Sequence, residues 1–194
     1  MQDIAPFFRW REEYVSEEDE NSPFFEQEYD ESQYSNRIYN YYIHPQWDDF
    51  GSQTLYLKIL FADYDTQYAI IELLGEWNDA IGNDVRFLKR NIVDTLVKNG
   101  IYKYILICEN VLIFHRSDDS YYEEWYEDIR DDDGWIVLLN TTEDVEKEMK
   151  RTQLQHFMQF GNPLNDVNWR IYKPEQVYEA VESLMSGRRK ELSF

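Results

Sequence analysis

Basic residues are scarce in this chain of 194 residues: 19 lysines and arginines stand against 39 aspartates and glutamates, a net charge of −20. A surface of that sign repels phosphate backbones and anionic bilayers, so nucleic acid and membranes are excluded as partners over most of the molecule. A protein partner with a basic surface is compatible with it. Cysteine is nearly missing too. The single copy, Cys108, cannot form an internal disulfide, and it lies in the apolar run Tyr104 to Cys108, where a thiol acts as a small inert hydrophobe. No stretch of about 20 apolar residues could cross a bilayer. Met1 to Trp10 lacks the basic-then-apolar pattern of a signal peptide, and a cytoplasmic location is the expectation.

Motifs that carry chemistry are missing as well. Gly75-Glu76-Trp77-Asn78-Asp79 contains no phosphate-binding glycine pattern. Asp131-Asp132-Asp133-Gly134 lacks the spaced acids and closing glutamate of a calcium loop, and reads as a turn. His44 and His156 have no evident partner that would activate a nucleophile. No catalytic set, no resident metal and no cofactor are therefore expected.

What the chain does have is apolar material, 43% of its residues, with 17% aromatic. That is ample for a core. Residues 1–52 alternate acid runs with aromatic pairs such as Phe7-Phe8 and Phe24-Phe25, with no sustained periodicity. They read as an extension that drapes on the domain, or on a second copy of it. Arg37 to His44 is a possible edge strand within it. From Thr54 the pattern sharpens. Two strands, to about Ala62 and from Tyr68 to Leu74, form a hairpin across Asp63-Tyr64-Asp65-Thr66, with Gly75 ending the second. Asn83 or Asp84 caps a helix whose Val85, Leu88, Ile92, Val93 and Leu96 share a face, and Asn99-Gly100 stops it.

Tyr104–Cys108 and Trp135–Leu139 read as strands covered on both faces. Thr141 or Thr142 caps a helix running through Val145, Met149, Leu154, Phe157 and Met158 to Gly161. A short strand at Trp169–Tyr172 and a last helix opened by Pro174 complete the series. The fold class is thus α/β with a mixed sheet, β-β-α-β-α-β-α-β-α over 53–186, and a tail at 187–194.

This order resembles that of STAS domains, the fold of anti-sigma-factor antagonists. Leu74-Gly75-Glu76 is similar to the family's strand-ending Gly-Glu. Val111 and Phe114 resemble the short apolar stretch before its functional loop, and Tyr172-Lys173-Pro174 its entry to the last helix. The resemblance covers about Thr54 to Met185 and is one of element order; the family's Asp-Ser-Ser/Thr-Gly turn is absent. Aligned from Val111, that turn falls on His115-Arg116-Ser117-Asp118, which places Ser117 at the family's phosphorylated position. What the resemblance implies is a non-enzymatic regulatory domain acting through protein contacts.

The segment His115 to Asp128 lies beyond a strand's carboxyl end, where functional groups collect in open α/β sheets. Ser117 or Asp118 would make a good helix start, with acids suiting the first turn. As a docking surface the segment offers His115, Asp118 and Asp119 around Ser117, with Tyr122, Trp125 and Tyr126 as aromatic anchors. Self-association through the N-terminal extension is the other partner reading. The competing class is a metal- or small-ligand-dependent enzyme with His115, Asp118 and Glu123 as ligands, in a pocket near Glu76 and Trp77. A glycosidase-type acid pair is disfavoured: Glu123/Glu127 and Glu124/Asp128 lie side by side on a helix, the pattern of a solvated face.

Overall fold

The structure, a computed structural model, describes residues 4–117 and 120–191, with side chains to Gly187. Its centre is a four-stranded mixed sheet in the order β3-β4-β5-β6. Strand β3 (Leu55–Asp63) and strand β4 (Tyr68–Asn78) form the antiparallel hairpin. Strands β5 (Lys103–His115) and β6 (Trp135–Leu139) then add in parallel. Parallel neighbours need crossovers, and helices supply them. Between β4 and β5 run α1 (Asp84–Phe87), a π-helical stretch (Leu88–Val93) and α2 (Asp94–Lys98). Between β5 and β6 lies α3 (Ser120–Arg130), and after β6 come α4 (Glu143–Arg151) and α5 (Pro174–Glu191). The class is mixed α/β, and the element order is the one expected from the sequence through α4.

Period two along the strands divides the core between the sheet's faces. One face carries Leu57, Ile71, Leu106, Cys108 and Leu138 against α1 to α4, with Val85, Leu88, Ile92, Val93 and Leu96 buried as their helical spacing predicts. The other face carries Leu60, Ile70, Ile105 and Val137, covered by Val177 and Val181 of α5 and by Trp10. Higher on this face, Ile38, Ile43 and Trp47 pack on Tyr56 and Leu74. Residues 4–50 therefore share the cover of this face with α5, while Phe24 and Phe50 join the core on the helical side.

Two charges lie buried under that cover. Lys58 in β3 reaches three groups of the N-terminal segment: Glu17 at 3.3 Å, Asp48 at 3.4 Å and the Tyr29 hydroxyl at 3.0 Å. Burial pushes the Asp48 carboxyl up to about 6 against the pull of Lys58. Glu72, opposite Lys58 in the register, accepts the Phe7 N–H at 2.9 Å and faces the Arg170 guanidinium at 3.6 Å. Its second oxygen accepts no hydrogen bond, and burial raises this carboxyl to about 7.

Several sequence expectations change. Gly75 does not end its strand; β4 continues to Asn78. Gly75 instead takes φ +122° at a point where a Cβ would lie 2.1 Å from the Thr54 carbonyl oxygen. The segment 37–44 is no edge strand of the main sheet but a separate hairpin, β1 (Arg37–Ile38) with β2 (Tyr41–Tyr42). The helix predicted to reach Gly161 ends at Arg151, where Thr152 turns its hydroxyl onto the Glu148 carbonyl at 3.0 Å and a 3-10 turn follows at Leu154–His156. Trp169–Ile171 is a 3-10 turn, not a strand. Both edges of the sheet instead receive one bridge from an irregular segment: Asp48 pairs with Leu57 of β3, and Gln159 with Val137 of β6. Helix α4 is capped by Thr142, whose hydroxyl accepts the Val145 N–H at 3.4 Å.

Candidate functional site

The strands β4 and β5 end together, Asn78 beside His115, and the chain leaves them in two adjoining loops. Asp79 joins the two. Its N–H donates to the His115 carbonyl at 2.8 Å, and its own carbonyl accepts the Ser117 hydroxyl at 3.1 Å. Its carboxylate accepts the Val85 N–H at 2.8 Å and the Tyr122 hydroxyl at 2.5 Å. Thus the helix start is capped by Asp79 from outside the helix, six residues before Val85, whereas Asn83 makes no side-chain cap and Asp84 is turned to Ser52 and the Asn78 N–H, each at 2.7 Å. Burial pushes the Asp79 carboxyl up to about 6, opposed by the Tyr122 and Val85 donors and reinforced by the Asp84 charge. The Tyr122 phenol is driven well above its usual value by the same burial and by Asp79.

This network holds a short loop, Ala80 to Asn83, in a fixed shape. Ile81 donates its N–H to the Asn78 side chain at 3.1 Å and Gly82 to the Asn78 carbonyl at 2.9 Å. A Cβ at position 82 would meet an Asp84 carboxylate oxygen at 2.7 Å, so the loop needs glycine there. The Ile81 side chain is left 89% exposed, beside exposed Ser117.

Helix α3 disposes the predicted contact residues differently from expectation. Tyr122 and Trp125 are fully buried, Trp125 edge-on to Tyr104 at 5.0 Å, and they are core, not contact residues. The amphipathic spacing that brings them together with Ile129 turns them inward. Tyr126 is half-buried, its ring 6.3 Å from Phe157. Ser120, Glu123, Glu127 and Asp128 face outward. His115 is exposed at the end of β5, and Ser117 precedes α3 without entering it. Arg116 stacks over Tyr122 and Phe157 and donates to the Thr152 carbonyl. Asp118 and Asp119 lie outside the described residues.

The metal alternative finds no support in this placement. Among the described residues, the acids that approach to ligand spacing are Asp94, Glu124 and Asp128, and His115 and Glu123 belong to no such group. That trio surrounds the buried Lys89 ammonium, which lies 2.8 Å from Asp128 and 3.4 Å from Glu124 and also contacts Asp94. The pocket anticipated near Glu76 and Trp77 is not formed around Trp77, which is fully buried against Phe114. Sequence reasoning missed Asp79 and Ile81. The available signal was Asp-Ala-Ile-Gly-Asn directly after an apolar strand, a turn carrying one apolar residue with nothing to bury it.

No family model matches the chain, and no curated protein matches it. Among solved structures it is similar to the anti-sigma factor antagonist SpoIIAA in its unphosphorylated form, at 15% identity over 66% of this chain and 96% of that one, TM-score 0.47. The phosphorylated Bacillus cell fate determinant SpoIIAA gives 14% identity over 64% and 98%, TM-score 0.42. A candidate anti-sigma factor antagonist of Thermotoga maritima gives 17% over 53% and 81%, TM-score 0.39. No helix among the described residues is long and apolar enough to cross a membrane.

Proposed function

We propose that this chain is a non-enzymatic regulatory domain that binds a protein partner at the carboxyl ends of β4 and β5. The observation that supports this reading is the Asp79 network, which presents an apolar side chain, Ile81, and a hydroxyl, Ser117, on a rigid base. A large apolar group held out on a hydrogen-bonded turn, next to an exposed hydroxyl, suits an interface anchor. The outward acids of α3, with Asp118 and Asp119, steer a basic partner toward it. Ser117 is the phospho-acceptor in this reading, and His115 flanks it. A phosphoryl group there would give up the donation to the Asp79 carbonyl and add about two negative charges among acids, resetting the surface. Asp118 and Asp119 supply part of that charge permanently.

Two variants test the proposal: Ile81→Asp, and Asp118→Asn combined with Asp119→Asn. Each should weaken capture of a cross-linked partner by the full chain about tenfold or more while leaving the melting temperature within a few degrees. Capture that both variants leave undiminished would end the reading.

A further inference from the structure

A second surface lies on the opposite face of the sheet. Five large apolar side chains stand exposed together around one groove of about 480 Å3: Ile4, Tyr39, Tyr41, Tyr42 and Leu112. Buried Ile38 and Leu74 form its floor. Its lining contains no charged residue, on a chain in which 30% of residues are charged. The hairpin that makes one wall is held open at a conformational cost. Tyr39 sits at φ 53°, a left-handed backbone that a bulky residue rarely adopts, and its ring still projects into solvent. Tyrosine-rich, uncharged recesses of this kind are the composition of interface cores, not of ordinary surface.

We propose that this groove binds a segment of a partner protein that carries large apolar anchors between lysines or arginines. The charges around the groove choose this occupant. Glu76 stands at the rim, against the Tyr39 hydroxyl, while the nearby cation, Arg37, already lies over the Tyr42 ring at 4.2 Å. The chain as a whole carries a net charge of −20, so basic flanks are drawn in and acidic ones repelled. The same charge opposes a second copy of this chain as the occupant. The groove is separate from Ile81 and Ser117, and its failure would leave the strand-end reading standing.

The test uses the full chain, isotope-labelled, and a synthetic amphipathic helix of leucines and lysines as probe. At low salt the lysine peptide should shift the amide resonances of Ile4, Tyr41 and Leu112 and a leucine–glutamate peptide should not. At about 0.5 M salt, where exposed charges are screened beyond roughly 4 Å, the lysine peptide should bind more weakly but still shift them, through its apolar anchors. Combining Tyr41→Ala with Leu112→Ala should lower the affinity at least tenfold, and Ile81→Asp should leave it unchanged. Leu112→Ser alone serves as a milder variant if the double one does not fold. Three results would overturn the proposal: no binding at millimolar peptide, shifts confined to α3 and lost with salt, or a dimer in sedimentation that Tyr41→Ala dissociates.

Discussion

The two faces of the sheet are buried to a similar degree by different means. Toward α1 to α4, apolar strand residues meet apolar helix faces, and the buried charges on that side, Asp79, Asp84 and Lys89, lie on the helices and the loop before them, not on the strands. Toward the other face, the sheet offers Lys58 and Glu72 at its centre, and α5 shares the cover with the turns, short hairpin and aromatic rings of the N-terminal segment. Helices fill one face by periodicity. On the other face, beside α5, an irregular segment is held in register by ionic and hydrogen-bonded tie points, because it has no periodic stripe with which to hold itself. A buried charge stabilises little in net terms but penalises every arrangement that leaves it unpaired.

The comparison can be broken first on the helical face. Trp125→Ala removes a fully buried ring packed on Tyr104 and should cost about 3–5 kcal/mol, read from urea denaturation. A loss below about 1 kcal/mol would mean that this core is loosely packed. On the other face, Lys58→Met leaves Glu17 and Asp48 without their cation and should cost roughly 3 kcal/mol. Adding Asp48→Asn should restore part of it; an additive double loss would show that the two groups do not act as a pair.

The pH dependence sharpens the contrast. The Glu72 carboxyl is raised in the fold from 4.5 to about 7, so between those values the folded chain holds a proton that the unfolded chain has released. Its contribution is complete below pH 4.5 and is lost as the pH rises through about 7, a change on the order of 3 kcal/mol at most. Asp48 and Asp79, both raised to about 6, act in the same direction at slightly lower pH. Glu72→Gln should therefore flatten the fall in stability between pH 5 and 8 without removing it entirely. An unchanged slope would place the titration elsewhere. The smallest effect belongs to Thr142→Ala, which removes the cap of α4 and should cost about 1 kcal/mol.

The same division decides what could be read from the chain. The helix through Val85 to Leu96 and the strand at Leu55 announce themselves through the period of their apolar residues, and the strands at Tyr104 and Trp135 through continuous apolar runs that burial on both faces requires. The tie points do not. Nothing local in Glu72 says that its partner is the backbone of Phe7, 65 residues earlier, and nothing in Asp79 says that it caps a helix it does not belong to. Tyr122 and Trp125 were legible as a helix pair but not as inward ones, since a short acidic helix gives a face without saying which neighbour covers it. Trp169–Ile171 has the composition of a strand and is bent into a turn by its tertiary setting: Trp169 is buried against Phe7 and Trp10.

The single-residue bridges at the two sheet edges have a further consequence. Asp48 exchanges two main-chain hydrogen bonds with Leu57, and Gln159 accepts from Leu138 and donates to Ile136. An open edge strand is a template on which a stray chain can grow another strand. Here each rim is already stapled by a residue arriving from an irregular segment, so a newcomer must first strip away part of the native chain. A stray strand would thus meet a partly occupied rim as well as the mutual repulsion of strongly acidic copies.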